Sequence, residues 1–105
     1  MSIATQNDID VFTIEGDFDA LAVQSLRPRL DGLAEAGAKA LRLDMTGVRF
    51  LDSSGVGAIV FLFKRLSAAG RKLELLGVTG QPRELLKFLR IDRTIPVLQS
   101  NPESV

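Results

Sequence analysis

Apolar and polar positions alternate near the N-terminus and again at ALRLDM, while elsewhere apolar residues recur every three to four positions, so strands and helices interleave along the chain. Ser2–Thr5 and Asp10–Glu15 read as strands, the second carrying the strand formers VFTI. Asn7-Asp8 between them is a turn signal and predicts a hairpin; Gly16-Asp17 ends the second strand. Ala20–Ala36 places Leu21, Leu26, Leu30 and Leu33 at helical spacing, with Asp19 positioned to cap its start and Gly37 to stop it. Pro28 lies inside this pattern, and an interior proline costs about 3 kcal/mol, so the helix is expected to start late or to bend there.

Further along, Ala40–Met45 reads as a strand, Ser53–Ala69 as a helix ended by Gly70, and Lys72–Leu76 as another strand. Gln81–Arg90 reads as a helix with Pro82 at a tolerated first-turn position, and Ile95–Leu98 as a last short strand. The order β-β-α-β-α-β-α-β predicts an α/β fold. It is a mixed sheet of about five strands, begun by an antiparallel hairpin and continued by parallel crossovers, packed against helices. One domain over residues 1–98 and a polar tail over 99–105 are expected.

The segment Phe50–Gly57, FLDSSGVG, interrupts this pattern with an acid and two hydroxyls at the start of a helix. Asp52 or Ser53 can cap that helix by accepting from an orphan N–H, a bond contributing about 1 kcal/mol. The same geometry suits a phosphate on a serine hydroxyl, because the free N–H groups and the macrodipole favour negative charge there. On a wheel of this helix Val56, Ile59, Val60, Phe63 and Leu66 share the side expected to enter the core, and Gly57, Ala58, Phe61 and Arg65 share the other. Phe61 is then a large ring on a wet face beside small residues, either covered by a neighbouring element or offered to a partner.

Composition narrows the chemistry. The 105 residues contain neither cysteine nor histidine. Disulfides, thiolate nucleophiles, zinc–sulfur sites and every Ser–His or Cys–His pair are excluded, which argues against a hydrolase and makes a reducing compartment the default. Thirteen basic residues balance 13 acidic ones, and the aromatics are six Phe, so a basic, base-stacking surface for nucleic acid is not expected. MSIATQNDID lacks the features of a signal peptide, and the longest apolar run, Val56–Phe63, is far short of the roughly 20 residues that cross a bilayer. A cytoplasmic protein without membrane or nucleic-acid contact, and without a metal or cofactor, is expected.

Taken together, LRLDMTGVRFLDSSGVGAIVFLFKRLSAAGRKLELLGV resembles the signature of STAS domains, in particular the single-domain anti-sigma-factor antagonists, or anti-anti-sigma factors. Gly16-Asp17-Phe18-Asp19 resembles the family's Gly-x-Leu-Asp, and QPRELLKFLRIDRTIPV is similar to its penultimate helix and last strand. The resemblance implies partner switching. The unphosphorylated antagonist binds a serine-kinase anti-sigma factor, phosphorylation by that kinase ends the binding, and a PP2C-type phosphatase restores it. By position the phosphoacceptor is Ser53. Asp19 matches an acidic position near it, and Asp52, Ser54, Gly55, Gly57, Ala58 and Phe61 complete the expected partner surface, on a monomer or weak dimer. The family usually carries a further helix after the last strand, whereas these residues end at NPESV, so a short or missing C-terminal lid is expected.

Other STAS domains are accessory subunits of lipid transporters or scaffolds in stress complexes, which would share the fold without phosphorylation. An enzyme is disfavoured: Gly55-Val56-Gly57 lacks the G-x-G-x-x-G pattern and a P-loop lysine. Asp44 is expected to cap a loop or face solvent, and Arg83, Lys87, Arg90 and Arg93 to form a solvated cationic face.

Overall fold

In the computed structural model, which describes residues 2–99, Asn7 and Asp8 both take positive φ, 54° and 62°. That is the conformation a two-residue hairpin turn demands. It joins β1 (Ser2–Gln6) to β2 (Ile9–Glu15) in antiparallel register, Thr5 opposite Asp10. Then follow α1 (Ala20–Glu35), β3 (Ala40–Gly47), α2 (Ser53–Ala68), β4 (Lys72–Leu76), α3 (Gly80–Phe88) and β5 (Val97–Leu98). The five strands lie in the order β1-β2-β3-β4-β5, and all pairings after the hairpin are parallel. Because each crossover advances one strand the same way, right-handed connections put all three helices on one face. The result is a mixed α/β sheet with a single helical layer.

Strand alternation follows from that asymmetry. Phe12, Ile14, Leu41, Leu43, Met45 and Leu75 have no exposed surface and meet Leu26 and Leu30 of α1, Ile59, Leu62 and Leu66 of α2 and Leu86 of α3 in one core. Alternate residues such as Arg42 and Glu74 lie on the other face, half-buried, and pair at 2.9 Å. Asp10 faces the core side yet is only 6% exposed. Its carboxylate accepts from the Thr5 hydroxyl at 2.5 Å and from the Ala38 N–H at 3.0 Å. The Thr5 bond, then the Ala38 bond, with Arg71 nearby, hold its pKa below the ordinary carboxylate value against the opposing effect of burial. Arg71 donates in turn to the carbonyls of Leu33 and Ala38. Gly37, at φ 146°, passes so close that a Cβ there would stand 2.6 Å from Asp10 Oδ2 and 2.8 Å from Arg71 Nη2.

Several expectations are corrected. α1 does not start late: it begins at Ala20 and runs through Pro28 to Glu35. Pro28 removes the donor to the Gln24 carbonyl, but both residues lie on the exposed side, where the carbonyl is open to solvent. Leu21, grouped with the inward leucines, is 76% exposed because, five positions before Leu26, it falls on the side of α1 opposite the buried Val23, Leu26, Leu30 and Leu33. Ala58, assigned to the outer face of α2, is buried at 4%, and Leu62 is fully buried, whereas Val56, Val60 and Phe63 are half-buried. α2 packs on α1 as well as on the sheet, so its buried arc is rotated from the apolar stripe. α3 stops at Phe88, and Arg90, at φ 62°, turns the chain into a short 3-10 turn at Ile91–Arg93. Ile95 is buried outside the two-residue β5. Asp44 accepts from the Thr46 N–H at 3.0 Å and hydroxyl at 2.7 Å, a local loop cap. The expected tail lies, from residue 100 onward, outside the described residues.

Candidate functional site

The parallel strands β2 and β3 end side by side, and the loops leaving them stay paired. Gly16 N–H donates to the Gly47 carbonyl at 3.0 Å and Phe18 N–H to the Phe50 carbonyl at 2.9 Å. Phe18 and Leu51 form an isolated parallel bridge. This pairing brings the starts of α1 and α2 together at the carboxyl ends of the strands, where open α/β sheets place their sites.

Two aspartates close those helix ends. Asp19 Oδ1 accepts from the Ala22 N–H at 3.1 Å, capping α1. Asp52 Oδ1 accepts from the Gly55 N–H at 2.9 Å, capping α2, and its Oδ2 accepts from the Ala20 N–H at 3.2 Å. One carboxylate therefore serves both helices. Its negative charge sits against two positive macrodipole ends, a favourable placement. Of the two cap candidates, Asp52 takes the role and frees the serine.

Ser53 is the first residue of α2, is exposed, and its hydroxyl makes no intramolecular hydrogen bond among the described residues. Ser54 is half-buried and lines a groove between α1 and α2. Gly57 is exposed with open space where a Cβ would point. Gly55 is different: it is buried, and a Cβ would overlap the Phe18 carbonyl oxygen and stand 2.5 Å from Leu51 Cδ1. Its part is to let the two loops close, and with Ala58 also buried these two support the surface from beneath. Phe61 is half-buried against the core cluster, with Arg27 5.8 Å and Arg65 5.3 Å from its ring centroid. The neighbouring α1 thus covers part of the ring that the wheel left wet.

Three features of the site went unread in the residue pattern. Gln81, in the first turn of α3, donates from Nε2 to the Leu51 carbonyl at 2.9 Å and accepts the Leu51 N–H at 2.8 Å. Its side-chain amide replaces the ladder partner that Leu51 lacks, because β4 has already turned away. Leu21 and Phe50, 76% and 44% exposed, add apolar surface close to Asp19 and Asp52 in the chain. Among the described residues no acidic cluster could hold a metal ion, and no helix is long and apolar enough to cross a membrane.

The site is thus a serine on an exposed helix start, held by a paired-loop scaffold in a one-sided α/β sheet. The chain belongs to the STAS domain family, whose profile matches residues 1–104. It is 40% identical over 70 residues to the anti-sigma-B factor antagonist of Bacillus subtilis strain 168, a match spanning 67% of this chain and 62% of that relative. Its fold is that of a putative anti-sigma factor antagonist from Thermotoga maritima, with a TM-score of 0.87, 17% identity, and 98% and 89% of the two chains covered. The Bacillus cell fate determinant SpoIIAA in its phosphorylated form superposes with a TM-score of 0.75 and 19% identity over 98% and 93% of the chains.

Proposed function

We propose that this chain is an anti-sigma factor antagonist of a partner-switching pathway in the cytoplasm. Unphosphorylated, it binds a serine-kinase anti-sigma factor through the surface around Asp19, Asp52, Ser53, Ser54, Gly57 and Phe61, with Gly55 and Ala58 shaping it from below. The kinase transfers a phosphoryl group to Ser53, binding ends, and a PP2C-type phosphatase restores the hydroxyl. The observation that carries this reading is the exposed, unbonded Ser53 hydroxyl beside the Asp52 carboxylate that caps two helices. The identity to the Bacillus subtilis antagonist supports the partner class.

In the transfer step the Ser53 oxygen attacks the γ-phosphorus of ATP bound to the kinase. The P–O bond to the β-phosphate breaks, ADP leaves, and the hydroxyl proton passes to a base of the kinase. The kinase and its Mg²⁺ perform the chemistry, and this chain supplies the acceptor oxygen. The product phosphate carries about −1.5 to −2 charge. It sits beside Asp19 and Asp52 and faces the nucleotide-bearing partner, where like-charge juxtaposition costs several kcal/mol.

The test is intact-mass measurement after incubation with each serine-kinase anti-sigma factor of the same genome, ATP and Mg²⁺. One added phosphoryl group on the wild type, absent from Ser53→Ala and retained on Ser54→Ala, is expected. Label retained on Ser53→Ala moves the acceptor. No label with any kinase, together with co-purification of a transporter, would replace this reading with that of a transporter subunit.

A further inference from the structure

The switch as proposed gives the acidic mouth of the groove between α1 and α2 its part and includes Phe61 at the opposite end, but leaves the charges around Phe61 without a role. The groove has a volume of about 450 Å³ and is lined by Ala20, Val23, Gln24, Arg27, Ser54 and Gly57. Ala20 and Ser54 belong to the first turns of their helices, beside the capping carboxylates, whereas Arg27 lies about two turns further along α1. Beyond Arg27 stands Phe61, with the guanidiniums of Arg27 and Arg65 both against its ring.

Two like charges on one ring is an unusual arrangement for a surface with acids to spare. Arg42 has Glu74, and Arg71 has backbone carbonyls. Arg27 and Arg65 have no carboxylate within ion-pair distance among the described residues, and their N–H groups have no acceptor there. Both side chains are exposed. The cation–π contact with Phe61 restricts both side chains and so helps preorganise two forks for bidentate carboxylate binding. The groove is therefore dipolar, with Asp19 and Asp52 at one mouth and Arg27 and Arg65 at the other, over a floor of small residues that admits a close approach.

We propose that this groove seats a segment of the anti-sigma factor that carries an acidic side chain at its far end, bound by Arg27 and Arg65 across Phe61. The dipole fixes the direction in which the segment lies and so turns the partner's nucleotide end toward Ser53. The inference rests on the antagonist reading and deepens it.

The affinity of the anti-sigma factor that phosphorylates Ser53 is measured for wild type and for Arg27→Glu/Arg65→Glu. The variant is expected to bind about tenfold more weakly or worse at low salt, with the gap narrowing as salt rises, and to melt close to wild type. Arg27→Lys/Arg65→Lys, which keeps charge but loses the forks, should fall between the two. Equal affinity of the double glutamate variant at low salt overturns the proposal. A second arm needs no kinase: ¹⁵N-labelled chain is titrated with a short helical peptide of leucine and glutamate, and with its leucine–lysine counterpart. Amide shifts at Val23, Gln24, Gly57 and Ala58 with the acidic peptide alone, lost in the double glutamate variant, are expected. No response, an equal response to both peptides, or shifts elsewhere refutes the groove's charge preference. Wild type that binds no kinase yet shows the acidic-peptide response defeats the antagonist reading and leaves the acidic preference standing.

Discussion

Replacing Asp52 with Ala removes one acceptor from each of two helices, whereas replacing Asp19 removes one from α1 alone. A lost aspartate cap costs about 1 kcal/mol. The Gly55 N–H is buried beneath the loop and loses its partner outright, so that half of Asp52 should cost the full amount. Ala20 is exposed, and water can reach its N–H, which places the second half nearer 0.5 kcal/mol, the low end for caps. Asp52→Ala is therefore expected to lose about 1.5 kcal/mol and Asp19→Ala about 1 kcal/mol or less. For a domain of this size 1 kcal/mol corresponds to about 4–8 °C in Tm. Asp52→Asn has one acceptor oxygen and should recover only part of the loss, its amide donors facing a second N–H. Urea unfolding with an unchanged m-value gives these differences directly. A cost for Asp52→Ala no greater than for Asp19→Ala would refute the double cap.

Other perturbations separate the remaining roles. Gly55→Ala should destabilise by about 3 kcal/mol or more, because its Cβ meets backbone, whereas Gly57→Ala should gain about 0.5–1 kcal/mol from helix propensity; melting curves of the pair decide it, and equal effects would contradict the packing at Gly55. Asp10→Ala should cost about 1.5–3 kcal/mol at neutral pH through two lost charge-assisted bonds. Because the native Asp10 pKa is depressed, that stabilisation is full above the ordinary carboxylate value, about 3.9, and is lost as pH falls through the lower native one. The gap to Asp10→Ala should therefore close in acid, and a gap constant down to pH 2 would exclude the linkage. Gln81→Leu leaves the Leu51 N–H and carbonyl unpaired, at about 1–3 kcal/mol each, and should speed amide exchange at Leu51. Gln81→Glu keeps the acceptor and regains the donor only when protonated, so its deficit should shrink as pH falls; a deficit independent of pH would remove Gln81 from the loop's support.

What was legible in the residues was what periodicity encodes. Strand alternation in VFTI and ALRLDM marked the buried sheet face, and Asn7-Asp8 marked the tight hairpin. Asp19 before an apolar helical run marked one cap, and the Asp52-Ser53 pair marked the other without choosing between them. Spacing gives the angle of a residue around its helix and nothing about where the neighbouring surface ends. At that angle Leu21 falls opposite the Val23, Leu26, Leu30 and Leu33 arc and faces away from the core, and Ala58 is buried because α1 approaches it from the side. Gln81 carried no signal at all: a polar residue in a first turn reads as solvated, and its partner Leu51 lies thirty positions upstream. The role of Gly55 needs the Phe18 carbonyl for its explanation, a contact set by two loops pairing after their strands have ended.

These contacts also bear on how the proposed switch would act. The backbone on the N-terminal side of Ser53 is tied at Phe50 by Phe18 and at Leu51 by Gln81, and Asp52 is bonded forward to Gly55 and across to Ala20. Gly55 then packs without room for a methyl group. A platform held on every side has little freedom to answer a new charge by moving. A phosphate on Ser53 would gain about 0.3–1 kcal/mol from the α2 macrodipole at such an exposed position. Repulsion from Asp52 and Asp19, in water and screened, opposes that gain, so the net effect on folding is small. Against a docked partner the water is gone, and the same charges cost several kcal/mol. Under the proposed switch the modification would thus be read out in affinity while the fold stays as it was, which is the behaviour a reversible antagonist requires.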